Sequence, residues 1–169
     1  MAGTFVNICG PVVADTAYVG GKLLARDVAL TLPEVAPMTA ELAAMGTFEL
    51  PVWQLIEQLE AAITKIGLDM GFRSAITPDM KTYEFRWVQT VTDATGQTKN
   101  VGCKAFLRGI PLNLPEIGLE VGSASEHELR ISLVRYNLFV DGKEMWNIDR
   151  LAGIVKIAGK DYANLDSML

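Results

Sequence analysis

The chain has 169 residues, of which 50% are hydrophobic, and its formal net charge is −5 at pH 7. That length suits a single domain, residues 1–169, with a sizeable core. The lack of any basic run argues against tight binding to a nucleic-acid backbone, and no stretch approaches the ~18 apolar residues of a membrane helix, so we expect no membrane partner.

The high apolar content suggests subunit interfaces, and the alternative is a well-packed β domain. The two cysteines, Cys9 and Cys103, are far apart and have no histidine beside them. We therefore expect two buried free thiols rather than a disulfide or a metal site.

The first segment contains Phe5, Val6 and Ile8, a Gly-Pro step at 10–11 and a Gly-Gly pair at 20–21. We predict two short strands joined by a turn-rich connection. The second strand would end at Leu32, because Pro33 follows it.

The segment from Pro33 to Gly46 is predicted to be a loop, since Pro33 and Pro37 argue against a strand. Within it, TAELAAM is compatible with one or two helical turns capped by Thr39. An ordinary surface loop is the alternative to a subunit contact. The contact is favoured because four apolar side chains would be costly in water. These candidates are Val35, Met38, Leu42 and Met45.

The stretch from Thr47 to Gly67 is ambiguous. Its apolar residues fall at helical spacing, which predicts a helix from Trp53 to Lys65. The same residues also read as two strands, FELPV and LEAAITKIG. The residues from Asp69 to Ile76 then allow a short helix before Pro78.

The stretch from Lys81 to Leu107 is predicted to form a hairpin with its turn at residues 93–96. Tyr83, Phe85 and Trp87 alternate with other residues, as in a strand with one buried face. Interleaved aromatic and basic residues are also typical of single-strand nucleic-acid binding. The sheet core is favoured because the basic residues are scattered.

Asp141 and Gly142 lie between two strand-forming runs, which predicts a two-residue type I′ turn. Such a turn would place Val140 opposite Lys143 and Tyr136 opposite Asn147. The incoming strand changes phase along its length, so we expect either a bulge near Val134 or passage from a core to a subunit contact. About seven or eight strands with one or two short helices suggest a mainly β fold, a sandwich or partly closed barrel.

Catalysis is not expected. His127 is the only histidine, and it lies between two glutamates where an exposed side chain is the common outcome. No nucleophile elbow or zinc ligand set accompanies it. We therefore predict no catalytic, cofactor-binding or metal-binding residues.

The C-terminal run RYNLFVDGKEMWNIDRLAGIVKIAGKDYANL resembles the C-terminal hairpin of the major tail tube proteins of contractile phage tails. The matching residues are Tyr136, Leu138, Val140, Asp141, Gly142, Ile148, Asp149, Gly159 and Asp161. The phrase DVALTLPEV is similar to the family's strand before a long inter-subunit loop, which here is the segment from Pro33 to Gly46. The resemblance also favours two strands between Thr47 and Gly67.

The resemblance implies a structural virion protein whose six-membered rings stack into the inner tail tube, a conduit for DNA during ejection. Its partners would be other copies, the tail sheath, the baseplate and the tail terminator, with assembly in the host bacterial cytoplasm and no cofactor. Alternatives are the tube of a contractile bacteriocin or of an injection or secretion system. A small monomeric β-barrel enzyme or ligand-binding module is the alternative of another class. For a tube we expect an acidic lumen, with Glu60, Glu84 and Glu128 as candidates.

Overall fold

The computed structural model describes residues 7–165 and 168–169, so the predicted strand residues Phe5 and Val6 lie outside the described part. Within it are twelve strands and one short helix, more strands than the seven or eight predicted. The strands are β1 Ile8–Val19, β2 Lys22–Arg26, β3 Ala29–Thr31, β4 Pro37–Ala43, β5 Thr47–Ile56, β6 Leu59–Ile66, β7 Lys81–Thr92, β8 Thr98–Pro111, β9 Glu126–Val140, β10 Lys143–Asp149, β11 Ile154–Ile157 and β12 Lys160–Asp161, and the helix α1 is Met70–Arg73. The mainly β fold class is confirmed.

Ten strands form one sheet, and β4 and β5 form a second sheet by themselves. The hydrogen-bonded order β3-β6-β9-β8-β7-β1-β2 is nearly a complete circuit, but β2 and β3 are joined only by the chain between them. Asp15 fastens this connection to β1: its backbone carbonyl accepts from Asp27 N at 3.2 Å and its carboxylate from Val28 N at 2.8 Å. The described sheet is therefore curved and open at one seam.

Strand β1 includes the Gly-Pro dipeptide that we predicted to lie in a turn-rich connection. Gly10 and Pro11 lie inside β1, and two register shifts between Cys9 and Ala14 accompany them. Proline has no N–H to donate to a neighbouring strand, so it is tolerated where the strand pairing is irregular. The turn is instead the glycine pair at 20–21, which leads directly into β2.

The stretch from Thr47 to Gly67 is two strands, β5 and β6, so the two-strand prediction is confirmed and the helix that periodicity alone predicts is wrong. In β6 the residues Leu59, Ala61 and Ile63 are fully buried, while the intervening residues are only partly buried. That period of two is the strand pattern. The short helix after it is confirmed: the Asp69 carboxylate caps α1 by accepting from Phe72 N at 3.3 Å.

The bulge predicted near Val134 is confirmed. Arg108 of β8 pairs with Arg135 of β9, but the next residue, Gly109, pairs with Leu133, so Val134 is the extra residue. Before it the buried side chains of β9 are Leu129, Ile131 and Leu133, and after it they are Tyr136 and Leu138. The bulge therefore keeps the apolar side chains of both halves directed at the core.

The tight turn at Asp141 and Gly142 is also present, with φ angles of 51° and 74°. These positive angles are those of a type I′ turn, which favours glycine. Val140 pairs with Lys143, as predicted. The register then shifts by one residue at Met145, so that Tyr136 pairs with Ile148 rather than with Asn147. The predicted register beyond the turn is wrong because β10 contains this extra residue.

One hydrophobic cluster joins the inner faces of the two halves of the main sheet. Its fully buried side chains include aromatic residues of β7 and aliphatic residues of β6, β8, β9 and β10, namely Tyr83, Phe85, Leu59, Ile63, Leu107, Leu129, Ile131, Leu133 and Ile148. Each such side chain contributes ~1.5–3 kcal/mol by leaving water. The C-terminal residues form the short strands β11 and β12, which extend the sheet from β10.

The close approach of β8 to β9 beside the bulge leads to a first prediction. A Cβ atom on Gly109 would lie 2.2 Å from the backbone oxygen of Ser132, whereas one on Gly102 of the same strand would have no neighbour within 4 Å. We expect Gly109→Ala to lower the free energy of unfolding by ~1–3 kcal/mol, the cost of overpacking. Gly102→Ala is the matched control and should change it by less than about 0.5 kcal/mol. Urea denaturation checks both variants, and equal stabilities would contradict the contact at Gly109.

Candidate functional site

The hairpin β4–β5, which we call the arm, is exposed along most of its length. Its strands hydrogen-bond only to each other in the described part of the chain. The loop or helical turns predicted from Pro33 to Gly46 are wrong, because β4 begins at Pro37 and continues to Ala43. Pro37 is tolerated as the first residue of an edge strand, because its missing N–H removes no hydrogen bond between strands there.

The arm has one apolar and one polar face. Strand alternation places the apolar residues together on one side: Met38, Ala40, Leu42, Phe48, Leu50 and Val52. The other side carries Thr39, Glu41, Thr47 and Glu49. Phe48 is 49% exposed and Leu42 is 41% exposed, so the apolar face is open to water in the single chain. Such a face indicates a contact with another molecule.

The four predicted contact residues do not share one role. Met38 and Leu42 lie on the apolar face, and Met45 is fully exposed in the turn at the tip. Val35 lies at the base, where it packs against the core with Trp53. A hydrogen bond of 2.9 Å from Glu57 N to the carbonyl of Ala36 closes this base. The arm is therefore anchored at one end and free along its length.

Sequence reasoning missed the contribution of β5 to this surface. Phe48 and Leu50 occupy the apolar face beside Leu42 and Met38, yet only residues before Gly46 were named as contacts. The available signal was the alternation of Phe48, Leu50 and Val52 with polar residues or proline. A period of two in a segment with no buried partner strand predicts an amphipathic hairpin.

The three acidic candidates for a lumen wall are not all close together. Glu60 and Glu128 lie on the solvent side of the β6–β9 pairing, whereas Glu84 lies on β7. Glu60 is 3.7 Å from the guanidinium of Arg130, and Glu84 is paired with Arg86. Glu128 has no ion pair among the described residues. The solvent side of β6 and β9 is thus less acidic than its glutamates alone suggest.

His127 is not exposed, contrary to the prediction. It is 1% exposed, and its Nδ1 lies 3.0 Å from the carbonyl oxygen of Glu116. Because a carbonyl only accepts, Nδ1 carries the hydrogen and Nε2 accepts from the Ser125 hydroxyl, also at 3.0 Å. His127 therefore holds the crossing segment, residues 112–125, against β9. No local pattern could reveal this, since Glu116 is brought to it by the fold.

The crossing segment is also fastened by Asn113. Its side-chain amide donates to the carbonyl of Glu128 at 3.1 Å and accepts from Arg130 N at 2.8 Å. These two bonds continue the pairing of β9 past the end of β8. Exposed apolar side chains project from the segment, among them Leu119 and Val121. The segment is a second apolar surface at a fixed position.

The described residues offer little for catalysis. They hold no cluster of three or more His, Cys, Asp or Glu side chains able to bind a metal ion. Cys9 is exposed, so the prediction of two buried thiols holds only for Cys103. Burial, together with the nearby Asp141, raises the pKa of the Cys103 thiol, which therefore stays protonated and weakly nucleophilic. No helix in the described residues is long and apolar enough to cross a membrane.

A model of the family described as Phage tail tube protein FII matches residues 13–165 of this chain. The solved structures with a similar fold include two from an extracellular contractile injection system, PVC, in the extended state. A chain of the sheath–tube complex has a TM-score of 0.53 and 13% identity, covering 77% of this chain and 90% of that chain. A chain of the sheath/tube terminator structure has a TM-score of 0.51 and 13% identity, covering 76% and 95%. Among curated proteins, no match is found.

The buried hydrogen bond of His127 leads to a second prediction. Ser125→Ala removes the donor to Nε2 and leaves a buried acceptor unpaired, which costs ~1–3 kcal/mol. Ser123→Ala is the matched control, because Ser123 lies exposed in the same segment. The free energy of unfolding in urea should fall for Ser125→Ala alone. Equal values for the two variants would show that the Ser125 hydroxyl is not the partner of His127.

Proposed function

The chain belongs to the phage tail tube protein FII family, and from this premise we propose that its copies form six-membered rings that stack into the hollow inner tube of a contractile tail. It is a structural tail tube protein. The observation that carries the proposed assembly is the arm, whose apolar face is open to water in the single chain. Covering side chains such as Phe48 and Leu42 stabilises an assembly by ~1.5–3 kcal/mol each.

The proposed contacts differ on the two partners of each junction. The arm of one copy covers a surface on the next, and that next copy presents its own arm elsewhere. A head-to-tail contact of this kind closes into rings or continues as an open filament, depending on the rotation it imposes. In a stack of rings, the contacts within a ring close and the contacts between rings continue along the tube. Other proteins would then determine the length of the tube.

The proposed partners outside the tube are a contractile sheath, a terminator and a baseplate. The first two are supported by the fold likeness to chains from a sheath–tube complex and from a sheath/tube terminator structure. The protein would be part of the tail of a virion and would assemble in the cytoplasm of the host bacterium. We propose no enzymatic activity and no cofactor.

The same fold serves a DNA conduit, a contractile bacteriocin or an injection device. We favour the phage tail because the matching family model is that of a phage protein and spans most of the chain. The resemblance to chains of an extracellular contractile injection system supports the injection device as the second candidate. A monomeric β-barrel enzyme or ligand-binding module is supported least, since neither the family nor these structures is of that kind.

For a DNA conduit we propose a bore that is acidic to neutral and repels phosphate groups. Glu60 and Glu128 are wall candidates on the solvent side of the same β6–β9 pairing, and Glu84 is a separate candidate on β7. A structure of the assembled tube should therefore show no ring of basic side chains in the bore. A bore lined mainly by arginine and lysine would contradict this prediction.

The assembly itself is tested by negative-stain electron microscopy of the purified protein. We expect rings or tubes, and a sample of monomers alone would refute the proposed function. Leu42→Asp combined with Met45→Asp should abolish tubes, because two charges on the arm would have to be buried in the contact. The circular dichroism spectrum should remain that of the folded protein, since neither side chain belongs to the core.

The matched control for the arm is Leu42→Ile combined with Met45→Leu. This variant keeps the apolar character at both positions, and we expect tubes of normal appearance. Tubes formed equally well by the aspartate variant would show that the arm tip lies outside every contact.

A further inference from the structure

Two arginines stand directly opposite each other on the solvent side of the main sheet. Arg108 of β8 and Arg135 of β9 are cross-strand partners, and both are exposed. Like charges in that arrangement destabilise a sheet. No carboxylate lies within 4 Å of either guanidinium among the described residues. The pair is therefore unbalanced in the single chain.

The nearest strand offers an acid that is already engaged. Asp149 of β10 lies opposite Arg135, but its carboxylate accepts from the backbone N–H groups of Leu151 and Ala152 at 3.0 and 3.1 Å. That arrangement shapes the turn after β10. The charge that would balance the arginines is thus absent from the described part of this chain's own fold.

The arginines line an open concavity of about 480 Å³ that also contains an unsatisfied polar group. Asn137 lines it too, is only 5% exposed, and its Oδ1 has no hydrogen-bond partner among the described residues. A buried acceptor left unpaired is costly. Phe106 and Phe139 pack edge to face at 5.7 Å on the same wall. The residues that line the concavity thus include two arginines and no acidic side chain.

The polar face of the arm carries the complementary groups. Glu41 of β4 and Glu49 of β5 are cross-strand partners, so this face has two carboxylates directly opposite each other. Both are exposed and have no cation within 4 Å among the described residues. Thr39 and Thr47 share this face, together with Ala43 and Pro51. The arm thus has an unbalanced acidic pair of the same geometry as the basic pair.

We propose that the polar face of the arm of one copy docks into the concavity of Arg108, Arg135 and Asn137 on the next copy. Each guanidinium then binds a carboxylate. One contact thus removes both like-charge repulsions. The inference rests on the proposed function and specifies its contact: the apolar face of the arm stays free to cover a different surface.

In the proposed tube the docking is head to tail: the arm of one copy enters the concavity of the next, whose own arm enters the concavity of a third copy. In any pair one copy then keeps a free concavity and the other keeps a free arm, so the contact propagates. Glu84 of β7 pairs with Phe106 across the strands and would lie at the border of this contact. Glu60 and Glu128 lie away from it on the β6–β9 pairing.

Charge exchange tests the docking, with self-association measured by sedimentation velocity in low salt. The variant Glu41→Arg with Glu49→Arg, and the variant Arg108→Glu with Arg135→Glu, should each weaken self-association by at least about tenfold. The quadruple variant, which exchanges all four charges, should return to within about twofold of the original chain. Glu120→Arg with Glu126→Arg is the control for the arm variant, since it makes the same change in net charge at exposed glutamates elsewhere.

Circular dichroism should show that all of these variants are folded, because the exchanged side chains are exposed. A folded quadruple variant that associates no better than the two double variants overturns the docking. Normal self-association of the arm variant also overturns the docking. If only the arginine variant is impaired, the arginines bind another partner, such as a phosphate backbone, and the docking is again refuted. Electron microscopy of tubes tests the proposed function separately. If tubes form but self-association does not fall in the double variants and recover in the quadruple variant, only the docking is refuted. If self-association falls and recovers in this way but no tubes form, only the proposed tube is refuted.

Discussion

The whole sheet depends on the pairing of β9, a strand of fifteen residues that needs hydrogen-bond partners along both edges. One edge pairs first with β6 and then with β10, and the other pairs with β8. Where β8 ends, the amide of Asn113 replaces a backbone group and His127 holds the chain that follows. The bulge at Val134 turns both halves towards one core. No strand other than β9 joins β6 to β8 by hydrogen bonds in the described part of the chain.

Features determined by neighbouring residues could be predicted from the sequence. The turn at Asp141 and Gly142, the bulge near Val134 and the alternation in β7 all follow from local backbone preference and residue period. Features that depend on distant residues could not. The extra residue at Met145 moves the register of β10 without a local signal, and His127 is buried by a carbonyl eleven residues away. Periodicity also predicted a helix where β6 is, because apolar residues spaced for a helix can alternate as well.

The segment that we predicted to be a contact loop is a hairpin. Apolar residues such as Leu42 marked the region before Gly46, whereas proline was taken to exclude a strand. In an edge hairpin that objection is weak, since half of the backbone groups face away from the partner strand. The chemistry of the arm follows from its being a hairpin: a loop would scatter Glu41 and Glu49, but pairing places them opposite each other. The net charge of −5 likewise hides the local basic pair on β8 and β9.

The position of β9 in the chain also determines when the protein can fold during synthesis. Both β6 and β8 are made well before β9, and each presents an unpaired edge until β9 arrives from residue 126 onwards. The ribosome covers the last residues that it has added, so this strand becomes available only after residues beyond it have been made. Pairings between such distant segments form slowly, because long loops must close first. A nascent chain that stops before β9 therefore exposes the edges of β6 and β8, which invite aggregation, and the subunit can form only once β9 has left the ribosome.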